Sequence, residues 1–228
     1  MTGLQVDGSE ESRILRRDMS TTVYLIRHAQ SQPSADVHTA QWPLSNRGQV
    51  QAERLAGPLA TLGIERLYSS PYARCLQTLE PFARRNRLPV TKIDDLREML
   101  IVNEPVDDFG VVWRQVWEDF GYAWPGCESA AQAQARFVAA VTSIAQQSRE
   151  RTIGVGAHGM VIGLFLNDLD PEFGREGAEE IMNPDAIRIV TKDGRFEWDR
   201  SFELPELAEI ASHPDETPYE AGAEDRSD

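Results

Sequence analysis

Cysteine is nearly missing from this sequence: only Cys75 and Cys127 carry thiols among 228 residues. Two isolated cysteines exclude a disulfide framework and a cysteine-rich metal site. Long apolar runs are missing too, and no stretch approaches the roughly 20 residues that a membrane helix needs. The amino terminus lacks the basic-then-apolar pattern of a secretory signal. Positive charge is scarce: 23 Lys and Arg stand against 37 Asp and Glu, for a net charge of −14, which disfavours nucleic acid as a partner. These absences lead us to expect a cytoplasmic protein with reduced thiols and neither nucleic-acid nor membrane partners.

What is present reads as one globular domain with ordinary proportions of hydrophobic (41%) and charged (26%) residues. The acidity is unevenly spread. From residue 203 onward nine acids face Arg226 alone, so eight of the fourteen excess negative charges lie there, with Pro205, Pro214 and Pro218. Residues 203–228 are therefore expected to be a disordered acidic tail, and residues 1–20, which lack periodicity, a flexible extension. Between them, residues 21–202 alternate strand and helix patterns. Strands are expected at Thr22–Ile26, at Ile64–Tyr68, in "LPVTKID" and in the apolar part of "RTIGVGAHG". One helix is expected after Ser45, with Val50, Leu55, Leu59 and Leu62 on one face and Gly63 as its stop. Another follows Ser70-Pro71, with Leu76, Leu79 and Ala83 inward, and a third spans Ala130–Gln147 through Ala135, Val138 and Ile144. Ala186–Phe202 reads as a hairpin turning at Lys192-Asp193-Gly194. The alternation predicts a three-layer α/β/α sandwich on a mostly parallel sheet, with a possible antiparallel edge.

In such sheets ligands bind beyond the carboxyl ends of the strands. "VYLIRHAQS" brings Arg27 and His28 to one such end, and "GVGAHG" brings His158 to another. Arg74 lies in the first turn of the helix after the second strand, where free backbone N–H groups and a positive dipole end gather. Two arginines, two histidines and a helix amino terminus make an anion site suited to a phosphoryl group. A neutral imidazole there can attack phosphorus.

The motifs carrying these residues resemble those of the histidine phosphatase superfamily, which includes the cofactor-dependent phosphoglycerate mutases. "LIRHAQS", "LSNRGQVQA", "YSSPYARCLQT", "DLREM", "GCES…R" and "GVGAHG" follow in the family's order across about Val23 to Val190. The resemblance implies a phosphoglycerate mutase-like fold and assigns roles. His28 would be the phosphorylated nucleophile, Arg27 and Arg74 clamps on the phosphoryl oxygens, and His158 a further donor. Glu98 would serve as acid and base, with Glu104 as the alternative acid because "REMLIVNEPVDDFG" departs from the family pattern. Gln30 and Ser31 would line the phosphate rim. No metal and no cofactor is implied, since the arginines supply the positive charge. The substrate would be a small-molecule phosphate ester. His38 and His213 receive no role.

Sixty residues separate Glu98 from His158, and their arginines (Arg114, Arg136, Arg149, Arg151) form no Arg-Arg-Ser cluster. Family mutases carry a longer, arginine-richer insertion there, so hydrolysis is favoured over phosphoglycerate mutase-type transfer or a non-catalytic regulatory module. The same interval holds Phe109, Trp113, Trp117, Phe120, Tyr122 and Trp124. Two readings of these aromatics stay open: packing, with Val112, Val116 and Phe120 as a core face, or a lid over an apolar leaving group.

Overall fold

The computed structural model describes residues 20–34, 36–103, 106–148, 151–192 and 194–212. Six strands form one sheet in the order β3-β2-β4-β1-β5-β6. They are β1 (Thr22–Arg27), β2 (Arg66–Ser69), β3 (Val90–Lys92), β4 (Thr152–Ala157), β5 (Asp185–Lys192) and β6 (Arg195–Trp198). The first four in that order run parallel; β5 and β6 form an antiparallel hairpin on the β1 side. Gly194, at φ +79°, takes the left-handed conformation that the hairpin turn requires.

Alternation along β1 explains the layers. Val23 and Leu25 point into a core with Phe137 and Phe165, while Tyr24 and Ile26 point into another with Leu55, Leu59, Leu79 and Phe82. Both faces are thus apolar and both are covered, as in parallel sheets generally. On one side lie α1 (Asn46–Thr61) and α2 (Ala73–Asn86); on the other lie α4 (Ala130–Gln147) and α5 (Gly159–Leu169). Shorter helices α3 (Phe109–Glu118), α6 (Arg175–Glu180) and α7 (Glu206–Ala211) complete the domain. Among the described residues no helix is long and apolar enough to cross a membrane.

Several local expectations are corrected. Val50 is exposed on α1, whose buried stripe is Gln51, Ala52, Leu55, Ala56 and Leu59. The inner face of α4 runs through Ala133, Phe137, Ala140, Val141 and Ile144, so Val138 lies at its edge and Ala135 is exposed on the opposite side. Helix α2 begins two residues after Pro71, with Tyr72 as its N-cap, and Ser70 instead accepts a bond from the Tyr72 N–H at 3.3 Å. The segment from residue 203 is not all tail. Leu207 and Ile210 are buried on α7, because their i, i+3 spacing gives even this acidic stretch an apolar edge. The rest of the expected tail and the extension to residue 19 lie outside the described residues.

Candidate active site

The register of the central strands determines where the two histidines meet. Arg27 on β1 is paired with Ala157 on β4, so the residues that follow, His28 and His158, emerge side by side from adjacent parallel strands. Their ring centroids are 5.2 Å apart in an edge-on arrangement. Strand spacing of about 4.8 Å makes this separation a direct consequence of the sheet. Ser70, one residue beyond β2, completes the row, and its hydroxyl lies 2.8 Å from His158 Nε2.

His28 is held in one tautomer. Its Nδ1–H donates to the Ala29 carbonyl at 2.7 Å, which leaves a lone pair on Nε2 to accept from Arg74 Nε at 3.0 Å. Burial, reinforced by the Arg74 and Arg27 charges, lowers its pKa to about 3, and the imidazole is neutral at physiological pH. His158 is fully buried and is driven well below the ordinary imidazole range by burial and by neighbouring His28 and Arg74. Arg74 spans the site from the first turn of α2: its other arm donates to the Thr39 carbonyl at 2.7 Å, and its guanidinium lies over Tyr72, 5.0 Å from the ring centroid. Arg27 donates to the Ile181 carbonyl and keeps a buried, unpartnered Nε. Its guanidinium passes over the start of α5, where a Cβ on Gly159 would come within 2.8 Å of Cζ.

Glu98 faces this cationic pair from the opposite wall. Its carboxylate accepts N–H bonds from Met99 (2.9 Å), Met160 (3.2 Å) and Val161 (3.2 Å), the last two at the amino terminus of α5. Burial raises its pKa above the usual carboxylate range, opposed by those N–H bonds and by Arg74 and Arg27. The alternative acid, Glu104, lies outside the described residues, as does His213.

Other motif residues hold the loop that follows His28. Thr78 Oγ1 accepts from Ala29 N at 2.9 Å, and Gln77 Oε1 accepts from Leu44 N at 2.7 Å. Gln51, fully buried, accepts from Gln30 N at 3.0 Å and donates to the Asn183 and Ile210 carbonyls. Asn183 in turn donates to the His28 carbonyl at 2.8 Å. A Cβ at Gly48 would lie 2.0 Å from the Gln30 carbonyl oxygen, so only glycine lets α1 approach this loop.

Two expected rim residues are not brought to the cleft. Gln30 Oε1 accepts the Ser45 hydroxyl at 2.7 Å and lines a separate hollow with Arg47 and Gln51; Ser31 forms a bridge with Leu44 instead. Strand β1 ends at Arg27, and bonds to Ser45 and Leu44 hold Gln30 and Ser31 away from the cleft. Residues without an assigned role stand in the cleft instead: Trp42, His38, Tyr72 and Asn103. The partnership of Ser70 with His158 was not legible, a contact that no local pattern encodes.

The cleft has a volume of about 770 Å³ and opens onto Arg27, Arg74 and Glu98. The aromatic segment divides. Phe109 and Trp113 line the cleft, whereas Val112 and Val116 are buried and Trp117 packs edge-on against Phe120, away from it. One face of α3 therefore lines the cleft and the other packs into the core. Among the described residues no group of three or more His, Cys, Asp or Glu side chains gathers as a metal site.

Residues 23–202 match the profile of the Histidine phosphatase superfamily (branch 1). A curated relative, an 8-oxo-(d)GTP phosphatase of Mycolicibacterium smegmatis (strain ATCC 700084 / mc(2)155), is 33% identical over 99 residues, 41% of this chain. The match spans only 27% of that relative's length. Among solved structures, phosphoglycerate mutase from Bacillus anthracis str. Sterne superposes with a TM-score of 0.68 at 19% identity, covering 85% of this chain and 98% of that one. Mycobacterial glucosyl-3-phosphoglycerate phosphatase in complex with inorganic phosphate gives 0.60 at 20% identity, covering 78% and 95%. At these identities the structural likeness is one of fold.

Proposed function

Because this chain belongs to branch 1 of the histidine phosphatase superfamily, we propose that it is a phosphomonoesterase that works through a phosphohistidine on His28. The observation that carries this reading is the neutral, fixed imidazole whose Nε2 lone pair faces Arg74 at 3.0 Å. That lone pair attacks phosphorus while the P–O bond to the alcohol breaks. Arg74 exchanges its bond to Nε2 for the phosphoryl oxygens, and the unpartnered Arg27 Nε supplies a second donor. Donors preorganised at the position where charge develops are each worth about 3–4 kcal/mol in such reactions. Glu98, in its protonated form, gives its proton to the leaving oxygen. As a carboxylate it then takes one from the water that attacks the phosphohistidine, and the P–N bond breaks to return the lone pair to His28.

His158, edge-on beside His28 and bonded to Ser70, acts through position and charge; like His28, it lies just beneath the residues that line the cleft. Hydrolysis is favoured over mutase chemistry because a bisphosphate needs a second anion subsite. Arg27 and Arg74 are the only arginines or lysines among the described cleft residues, and both face the first phosphoryl position.

A screen of phosphate esters for phosphate release, in chelator and with His28→Ala as control, tests the reading. Release by the wild type in chelator, absent in His28→Ala, is expected. Loss of activity on chelation, or a fully active alanine variant, overturns it.

A further inference from the structure

Beyond the phosphoryl end the cleft changes character. Its far wall is apolar and aromatic, with Leu100, Ile101, Val102, Phe109 and Trp113, whereas Trp42 lies at the phosphoryl end beside the Arg74 guanidinium. The charged residue at this end is Glu179, whose Oε1 accepts from Trp113 Nε1 at 3.1 Å and from Arg175 at 3.2 Å. Arg175 reaches that carboxylate from outside and lines a different hollow with Arg114 and Trp117. No lysine or arginine lines the leaving-group end among the described residues. Resting on the phosphatase reading above, we infer that the substrate is a monophosphate of a flat, apolar alcohol without a negative charge of its own, and that Glu179 selects a hydrogen-bond donor or cation at its distal end.

The physical grounds are desolvation and sign. A ring system lying against Phe109 and Trp113 exchanges water for aromatic faces and gains apolar contact. The volume suits one or two fused rings, within the usual range for small-molecule sites. A carboxylate or second phosphate on the same group would lose its hydration against Leu100, Ile101 and Val102 and meet the Glu179 carboxylate instead of a cation. The cleft is therefore selective by charge as well as by shape. This excludes phosphoglycerates, bisphosphates and nucleoside triphosphates as preferred substrates. It admits phosphorylated aromatic alcohols, including those bearing an amine.

An isosteric series separates the two claims. Phenyl phosphate, 4-(aminomethyl)phenyl phosphate and 4-carboxyphenyl phosphate differ chiefly in distal charge, and the matching benzylphosphonates bind without turnover. With the full-length wild-type protein, the aminomethyl phosphonate is expected to bind roughly tenfold or more tightly than the carboxy phosphonate, from the Coulombic difference at a partly exposed site. In Glu179→Gln, which keeps an acceptor for Trp113, that ratio should fall towards unity; in Glu179→Arg it should invert. Equal or tighter binding of the carboxy compound by the wild type overturns the inference, whatever the turnover. If the binding order holds but none of the esters is hydrolysed, the inference about the cleft survives and the phosphatase reading falls.

Discussion

At the scale of single residues, the site is a set of groups kept out of their ordinary protonation states by burial. His28 and His158 lie on neighbouring strand ends with Arg74 beside them, so each imidazolium would be both dehydrated and repelled. This has a consequence for stability. In the unfolded chain both rings take up protons as the pH falls through about 6.5, whereas folded His28 stays neutral until about pH 3. Stability from these groups is therefore fully present above pH 6.5 and is lost progressively below it. Each histidine should remove up to about 1.4 kcal/mol per pH unit in that window. Denaturant unfolding at pH 7, 6 and 5 should show a shallower acid loss in His28→Gln than in the wild type, by close to one proton. Parallel curves would mean that His28 titrates in the folded protein as it does in the unfolded one. Glu98 shows a mixed balance: burial lifts its pKa while backbone N–H donors favour the ionised form, a compromise that suits the proposed use first as acid and then as base.

Secondary-structure elements fix these groups through bonds the catalysis itself does not use. The Glu98 segment carries only a single 3-10 turn, Asp94–Leu96, and is tied down from α4. Arg136 donates to the carbonyls of Asp95 (2.9 Å), Arg97 (2.8 Å) and Glu98 (3.3 Å), and pairs with Glu128 at 2.5 and 2.9 Å. Glu128 precedes Ser129, which caps α4 in a reciprocal box with Gln132, so the pair is anchored to the helix start. Arg136 is thus a positioning residue. Arg136→Ala should destabilise the fold by about 3 kcal/mol or more, because Glu128 would keep a largely buried, unpaired charge. Replacing both partners in Arg136→Met with Glu128→Leu should recover much of that stability in thermal unfolding. Its kcat should stay well below wild type, since the three carbonyls still lack their donor. A double variant with full stability and full kcat would show the pair to be structural only. Helix α7 reaches the nucleophile in a similar way, through the Ile210 carbonyl, Gln51 and the Gln30 N–H.

For the molecule as a whole, the sandwich was legible because β1 and β4 read as unbroken apolar runs, and such runs belong to strands covered on both faces. The meeting of these strand ends was legible because Arg27, His28 and His158 interrupt those runs abruptly. What failed to show in the sequence depends on distant contacts. Gln30 and Ser31 follow His28 directly, but β1 has ended there, and Ser45 and Leu44 turn them away from the cleft. The acidic composition after residue 203 concealed Leu207 and Ile210, whose burial depends on helix α1 and strand β5, which α7 meets. The division of α3 into a cleft face and a core face could not be read before the position of the cleft was known. All of these features serve one claim: a sheet register that sets two neutral imidazoles side by side beneath two arginines makes His28 Nε2 a nucleophile. The most direct test is to mix the protein with a reactive aryl phosphate, quench in alkali within a turnover to preserve the acid-labile P–N bond, and map the adduct by mass spectrometry. The account predicts one phosphoryl group on the peptide containing His28, absent from His28→Ala. A phosphoryl group on His158 or on a serine, or an unmodified protein that still releases phosphate, would contradict it.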